Sequence, residues 1–335
     1  MNYFLSPCSF QVRELFSPRL SEKGLYYYTL EKKGVSHKEA VKRIKTKPIW
    51  FCGIKDKNAR TMQWLCTIER INDIEEKDLI VKFKGCSNER IFVGKHKGNE
   101  FKVEAELSEK EQKKISGFKA KKELVCNYFG EQRFCENNIE IIEALERKEY
   151  ECALRLFLTK KSRFDSEKST KIKKIIAENW NDWEKISEEE EIKTTKKAVL
   201  FDFLKKNPDL FEDAFLHAEP RAVKAMVKAA QAMRFNKKLC ETAKQKKPKN
   251  NYTQIAGQNL ALGASKAFPR MLAIEPNEFE KKFRRGVLER KTFFNAECFR
   301  IKKLSGKKSV LSFRLPRGCY ATIFLKYLCN WLDNQ

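Results

Sequence analysis

The stretch Pro48-Ile49-Trp50-Phe51-Cys52-Gly53-Ile54-Lys55-Asp56-Lys57-Asn58-Ala59-Arg60-Thr61-Met62-Gln63 decides how this chain folds and what it can do. Its first half, Pro48 to Ile54, is a continuous apolar run of strand length, the pattern of a strand buried on both faces. Lys55-Asp56-Lys57-Asn58 is a turn-type cluster that ends the run. The carboxylate of Asp56 is framed by two lysines, Lys55 and Lys57. Mounted at the rim of a buried strand, it has the rigid support that a nucleophile or base requires. Taken alone, an Asp after a strand and beside Lys and Asn is more often an exposed turn residue.

Outward from this stretch the first third mixes strand and helix. Gly24 to Lys33 is aromatic- and Thr-rich and reads as a strand; Gln63 to Ile68, Leu79 to Phe83 and Phe101 to Leu107 add others. Ser36-His37-Lys38-Glu39 and Ser108-Glu109-Lys110-Glu111 have capping-box spacing and open helices. From Asn138 apolar residues recur at helical spacing, through Ile139, Ile142, Leu145, Leu154 and Leu158. Lys196 to Lys206 is a further helix, ended by Asn207-Pro208, and Pro220 suits the first position of a long one through Phe235. The acidic run Ser187 to Glu191 reads as a solvated helix face or loop, and Lys244 to Lys249 as a basic loop. After Arg285 strands return: Ala296 to Lys303 and Ser309 to Leu315 flank a hairpin turn, and a helix follows from Tyr320 to Trp331. Strand-rich, helix-rich, strand-rich is the order of an α+β domain carrying a helical insertion.

The chain has 335 residues, a length suited to about two domains. Its formal net charge of +25 makes a polyanion the leading partner, nucleic acid first and an anionic membrane second. Hydrophobic residues at 41% with 25 Phe exclude a disordered basic tail. No apolar run is long enough for a membrane span, and the N-terminus lacks the pattern of a secretory signal. The 11 Cys are scattered with no CxxC pair, so zinc-ribbon and thioredoxin chemistry have no starting point. Reduced thiols and a cytoplasmic location are the expectation. With only His37, His96 and His217 present, chemistry is expected on carboxylates, with no metal and no cofactor.

Three more clusters stand out. Asn127-Tyr128-Phe129-Gly130-Glu131-Gln132-Arg133-Phe134 joins aromatics to an amide and an Arg, the means of stacking an unpaired base and reading its edge. Its bland alternative is a hydrophobic corner before a helix. Phe10-Gln11-Val12-Arg13-Glu14 alternates as an edge strand would. Arg314 to Thr322 reads as a strand-to-helix turn with Tyr320 packed inside. Singly, each bland alternative wins.

Together the clusters resemble the TruD family of pseudouridine synthases, with an archaeal-type member expected. Gly53 to Ala59 with Thr61 and Gln63 is similar to G-x-K-D-K-x-A-x-T-x-Q, Asn127 to Phe134 to N-Y-F-G-x-Q-R-F, and Phe10 to Glu14 to F-x-V-x-E. Leu315-Pro316-x-Gly318-x-Tyr320-Ala321-Thr322 is similar to L-P-x-G-[ST]-[FY]-A-T, and Gln231 to Asn236 to the Q-x-x-x-F-N helix. The motifs keep family order over residues 10 to 322. Departures are Phe4 where a Lys usually precedes Phe10, Ser9 for an acidic residue, and Cys135 and Cys319 for small residues.

The resemblance implies a pseudouridine-synthase core, a mixed or antiparallel sheet flanked by helices, over 1-137 and 286-335. A mostly helical TRUD domain is then inserted at 138-285. It implies Asp56 as the catalytic carboxylate and Phe10, Asn127, Phe129 and Tyr320 as residues around the target uridine. Lys55, Lys57, Gln63 and Arg133 would support them, Lys55, Lys57 or Arg133 standing in for the missing cation. It implies RNA as partner, tRNA foremost and uridine 13 within it, without an obligate protein partner or a membrane. Asp56 would either attack C1′ or abstract the C2′ proton, and both routes remain open. The alternatives are a non-catalytic RNA-binding or RNA-folding protein on the same scaffold, and a peripheral protein on anionic lipid.

Overall fold

A computed structural model describes residues 1–161, 165–245, 252–255, 258–262 and 269–333. The fold is α+β and divides into two compact units. The first holds Met1–Asn127, Leu262–Lys266 and Phe293–Gln335; the second holds Tyr128–Ala261 and Ala267–Thr292.

In the first unit the chain runs β1 (Asn2–Tyr3), β2 (Phe10–Leu15), β3 (Leu25–Lys33), α1 (His37–Ile44), β4 (Ile49–Phe51), β5 (Arg60–Thr67), β6 (Ile74–Glu75), β7 (Leu79–Ser87), β8 (Gly98–Glu106), α2 (Glu109–Ser116) and β9 (Val125–Cys126). The second contributes α3 (Cys135–Glu146), α4 (Tyr150–Thr159), α5 (Glu167–Glu178), α6 (Trp183–Glu188), α7 (Glu190–Lys193), α8 (Ala198–Lys206), α9 (Phe211–His217), α10 (Pro220–Gln245), β10 (Tyr252–Ile255), β11 (Gln258–Ala261), β12 (Met271–Ile274), α11 (Glu278–Lys282) and β13 (Leu288–Lys291). The first unit then closes with β14 (Phe293–Phe294), β15 (Glu297–Lys303), β16 (Lys308–Pro316) and α12 (Ala321–Asp333).

The first unit is built on one ten-stranded sheet, ordered β15-β16-β8-β2-β5-β3-β7-β6, with β1 beside β8 and β4 beside β5. Alternation in β3 sends Tyr28, Leu30 and Lys32 to one face, where Tyr28 and Leu30 join Leu65, Leu79, Val81 and the α1 residues Ala40 and Ile44 in a buried cluster. Near β16 the core is aromatic: Phe101 stacks on Phe313 at 5.3 Å, and Phe324 of α12 packs on Phe313 at 4.7 Å. Both expected helix starts hold, with a difference. Ser108 and Glu111 complete a reciprocal capping box on α2, whereas at α1 only Ser36 caps, because Glu39 turns to Arg43.

Two expectations change. The run Pro48 to Ile54 is not a strand buried on both faces: β4 is three half-buried residues, and Ile54 is 80% exposed. Among the described strands β4 pairs only with β5. Phe10–Leu15 is no edge strand, since β2 lies between β5, parallel, and β8, antiparallel.

The second unit is mainly helical with two small hairpins, β10–β11 and β12–β13. Its core is aromatic as well, with Trp183 against Trp180, Phe201 and Phe211, and Phe215 against Phe157 and Phe279. The acidic run falls where α6 ends and α7 begins. Of Lys244 to Lys249, read as a loop, the first two residues close α10 and the rest lie outside the described residues.

Candidate active site

The loop that carries Asp56 lies where β5 changes partner. Strand β2 pairs with β5 over Arg60 to Met62, and β4 pairs with it over Leu65 to Thr67. Between those ladders the Trp64 N–H donates to Glu14 Oε2 at 3.0 Å, so a side chain replaces the missing backbone acceptor. The other oxygen of Glu14 meets Lys55 Nζ at 2.8 Å, and Lys55 Nζ also donates to Asn99 Oδ1 at 3.0 Å. Both charges of this pair are buried. Lys55, expected to support Asp56, is thus tied to Glu14 and Asn99.

Two further contacts hold the loop. Gln63 Nε2 donates to the Gly53 carbonyl at 3.3 Å. Lys32, fully buried, donates from Nζ to the carbonyls of Val35 at 2.9 Å and Asp56 at 2.5 Å. Burial lowers Lys32 from its ordinary value to about 8, with the Asp56 charge pulling it up and Lys55 pushing it down. The Asp56 side chain itself is exposed, as is Lys57. The result is a carboxylate open to solvent on a backbone secured from beneath.

The floor is polar and under-satisfied. Thr61, the cross-strand partner of Lys32, is buried, and its hydroxyl has no protein hydrogen-bond partner among the described residues. The same holds for Gln63 Oε1. Such groups are rare in folded proteins, where a buried polar atom is met by protein, water or a bound group. Nearby, Glu14, Cys52 and His96 bring ligand-type atoms within 4.8 Å of one another, an arrangement the sequence did not suggest. Burial pushes the Cys52 thiol up to about 12 and the His96 imidazole down to about 4, so both stay neutral. Since Glu14 already faces Lys55, a cation there would have to displace a buried ammonium.

The remaining expected residues fall as follows. Phe10 is buried, its ring 6.0 Å from that of Phe101. Asn127 is buried and Tyr320 half-buried directly before α12. Gly318, at φ +80°, makes the turn from β16 that places Tyr320 there. Phe129 and Arg133 belong to the second unit. There Asn236 grips the Phe129 backbone from both sides, its Oδ1 accepting from the N–H at 2.8 Å and its Nδ2 donating to the carbonyl at 3.0 Å. The Phe129 ring meets Phe235 edge-on at 5.6 Å and lies under the guanidinium groups of Arg290 and Arg133. Gln231 donates to the Gly286 carbonyl, so the Gln231-to-Asn236 motif positions neighbouring backbone.

Beside Glu14 on the first unit is a cleft of about 700 Å³ lined by Arg13, Arg19, Lys95, Lys97 and Arg314 and also by Glu14, Glu89 and Glu100; Lys95 pairs with Glu89 and Arg314 with Glu100.

Three of the residues that build this site were not singled out from sequence: Lys32, Glu14 as an anchor, and Asn99. A signal for Lys32 was present, because two-residue alternation puts it on the buried face with Tyr28 and Leu30.

The family model of tRNA pseudouridine synthase D (TruD) matches residues 6–260. The chain belongs to the TruD family. A TruD-family chain is an enzyme, an isomerase. Its relatives include an Aquifex aeolicus protein named tRNA pseudouridine synthase D, 29% identical over 96% of this chain and 96% of the relative. Another, from Methanococcus maripaludis, is named "Probable tRNA pseudouridine synthase D 1" and is 23% identical over 96% and 98%. A Methanosarcina mazei crystal structure bearing the TruD designation superimposes with a TM-score of 0.64 at 19% identity, covering 98% of this chain and 92% of that one. That superposition supports the shared α+β fold. No helix among the described residues is long and apolar enough to cross a membrane.

Proposed function

We propose that this chain converts uridine to pseudouridine in tRNA, at uridine 13, with Asp56 as the reacting carboxylate. The observation that carries the reading is the Asp56 mount: an exposed carboxylate whose backbone is held by buried Lys32, within a loop tied down by Gln63 and Lys55. The reaction breaks the N1–C1′ bond, turns the base and joins C5 to C1′; the C5 proton leaves and N1 gains one. No electrons are transferred, so the chain's own residues suffice. Asp56 either attacks C1′, as carboxylates do at anomeric carbons, or removes the C2′ proton.

The target must leave its stack, at a cost of a few kcal/mol. Stacking returns about 1–3 kcal/mol per base. Phe10 and Tyr320 are assigned to that sandwich and Asn127 to hydrogen bonds with the nucleoside. Phe129 is assigned to the nucleoside by the same motif resemblance, and Lys57, Gln63 and Arg133 are assigned to support. The first unit serves as catalytic core and the helical unit as the TRUD insertion, acting on cytoplasmic tRNA without an obligate protein partner.

The test is pseudouridine mapping of tRNA treated with the wild-type protein and with Asp56→Ala. The expected result is one new site, at uridine 13, made only by wild type, with tRNA binding retained by the variant. A wild-type protein that binds tRNA and leaves no new pseudouridine, beside an active control synthase, contradicts the reading.

A further inference from the structure

We propose that Lys32 is a positioning residue for Asp56: its buried ammonium fixes the Asp56 backbone and balances the Asp56 carboxylate charge. The proposal rests on the assignment of Asp56 to the reaction.

A fully buried lysine is costly unless its charge is compensated. Lys32 is 0% exposed, and the two hydrogen bonds of its ammonium go to neutral main-chain carbonyls, of Val35 and Asp56. Compensation therefore has to come from a charge nearby. Three titratable groups from two elements face it: Asp56 and Lys55 on the loop, and His37 on α1. Lys55 repels it, but the Lys55 charge is answered by Glu14 at 2.8 Å. Burial first and Lys32 second push the His37 imidazole below its ordinary value, so its neutral form is favoured. Asp56 is the group that favours the protonated Lys32. The loop is therefore flanked by an ion pair, Lys55 with Glu14, and by the Lys32 ammonium, which is bonded to the Asp56 carbonyl and favoured by the Asp56 charge. Because Lys32 grips the carbonyl of the very residue whose carboxylate it balances, backbone position and side-chain charge are set together.

The experiment compares wild type, Lys32→Met and Asp56→Asn as full chains. Lys32→Met is expected to lower kcat for tRNA at least 100-fold while the Kd for tRNA moves less than threefold. Wild-type kcat should fall above about pH 8, as the ammonium loses its proton, and the variant should lack that limb. Asp56→Asn should show a lower Tm than wild type at pH 7, because it strands a buried ammonium, and the gap should close above about pH 8. This second arm decides the matter if Lys32→Met does not fold. Wild-type kcat in Lys32→Met, or a Tm of Asp56→Asn equal to or above wild type at pH 7, overturns the proposal. An Asp56→Asn protein that still makes pseudouridine overturns the catalytic assignment instead, while the Tm arm still reads the effect of the Asp56 charge on Lys32.

Discussion

Glu14 illustrates how one buried side chain can join two ladders and a loop. It accepts from the Trp64 N–H and meets Lys55, so Glu14→Ala strands an ammonium and a donor together. Breaking a buried pair from one side costs about 3–5 kcal/mol, while removing both charges costs far less. Glu14→Ala should therefore melt well below wild type, and Glu14→Gln with Lys55→Met should recover most of the loss. Equal losses in the single and double variants would contradict this. Lys32 sets a pH dependence of its own. It titrates at about 8 when folded against an ordinary 10.5, so between those values the unfolded chain binds more protons. Stability should then rise with pH from about 8 to 10.5, and Lys32→Met should flatten that slope in Tm measurements across the window. In the sequence Lys32 falls inside the strand Gly24 to Lys33, and two-residue alternation with Tyr28 and Leu30 is the signal that it points inward. That it reaches the Asp56 carbonyl is set by the fold and not by the local pattern.

Elements with a strong local pattern were legible and those defined by distant partners were not. Strands β3, β5, β7 and β8 alternate, and α8, α10 and α12 carry helical spacing with stop or start signals, so their positions followed from the chain itself. Strand β4 misled because Trp50, Phe51 and Cys52 are apolar for local packing, while its single partner β5 leaves the next residues to form a loop. Alternation in β2 looks the same in an edge strand and in an interior strand with one open face; the parallel pairing with β5 is information from elsewhere in the chain. The motif around Asn127 divides likewise, Asn127 ending the first unit while Phe129 is clamped by Asn236 in the second. Asn236→Ala should cost about 1–3 kcal/mol for each stranded backbone group. Faster hydrogen exchange at the Phe129 amide is the direct readout, and unchanged protection there would contradict the clamp.

At the scale of the molecule, the net charge of +25 and the Asp56 carboxylate have separate tasks. Lys and Arg that neutralise phosphates release counterions, so tRNA affinity should fall linearly in log Kd against log salt. Asp56→Ala should share the wild-type slope, because a carboxylate holds no phosphate; a Kd insensitive to salt would contradict a charge-led interface. The family membership gives the chain a reaction class, and the first unit supplies an exposed carboxylate on a braced loop in which to locate it. The most direct measurement is tritium release from tRNA labelled at uridine C5, since the C5 hydrogen is lost only when C5 joins C1′. Wild type should release tritium from one uridine per tRNA, with Asp56→Ala and Asp56→Asn at background. Release by either variant at the wild-type rate would contradict the assignment of the chemistry to Asp56.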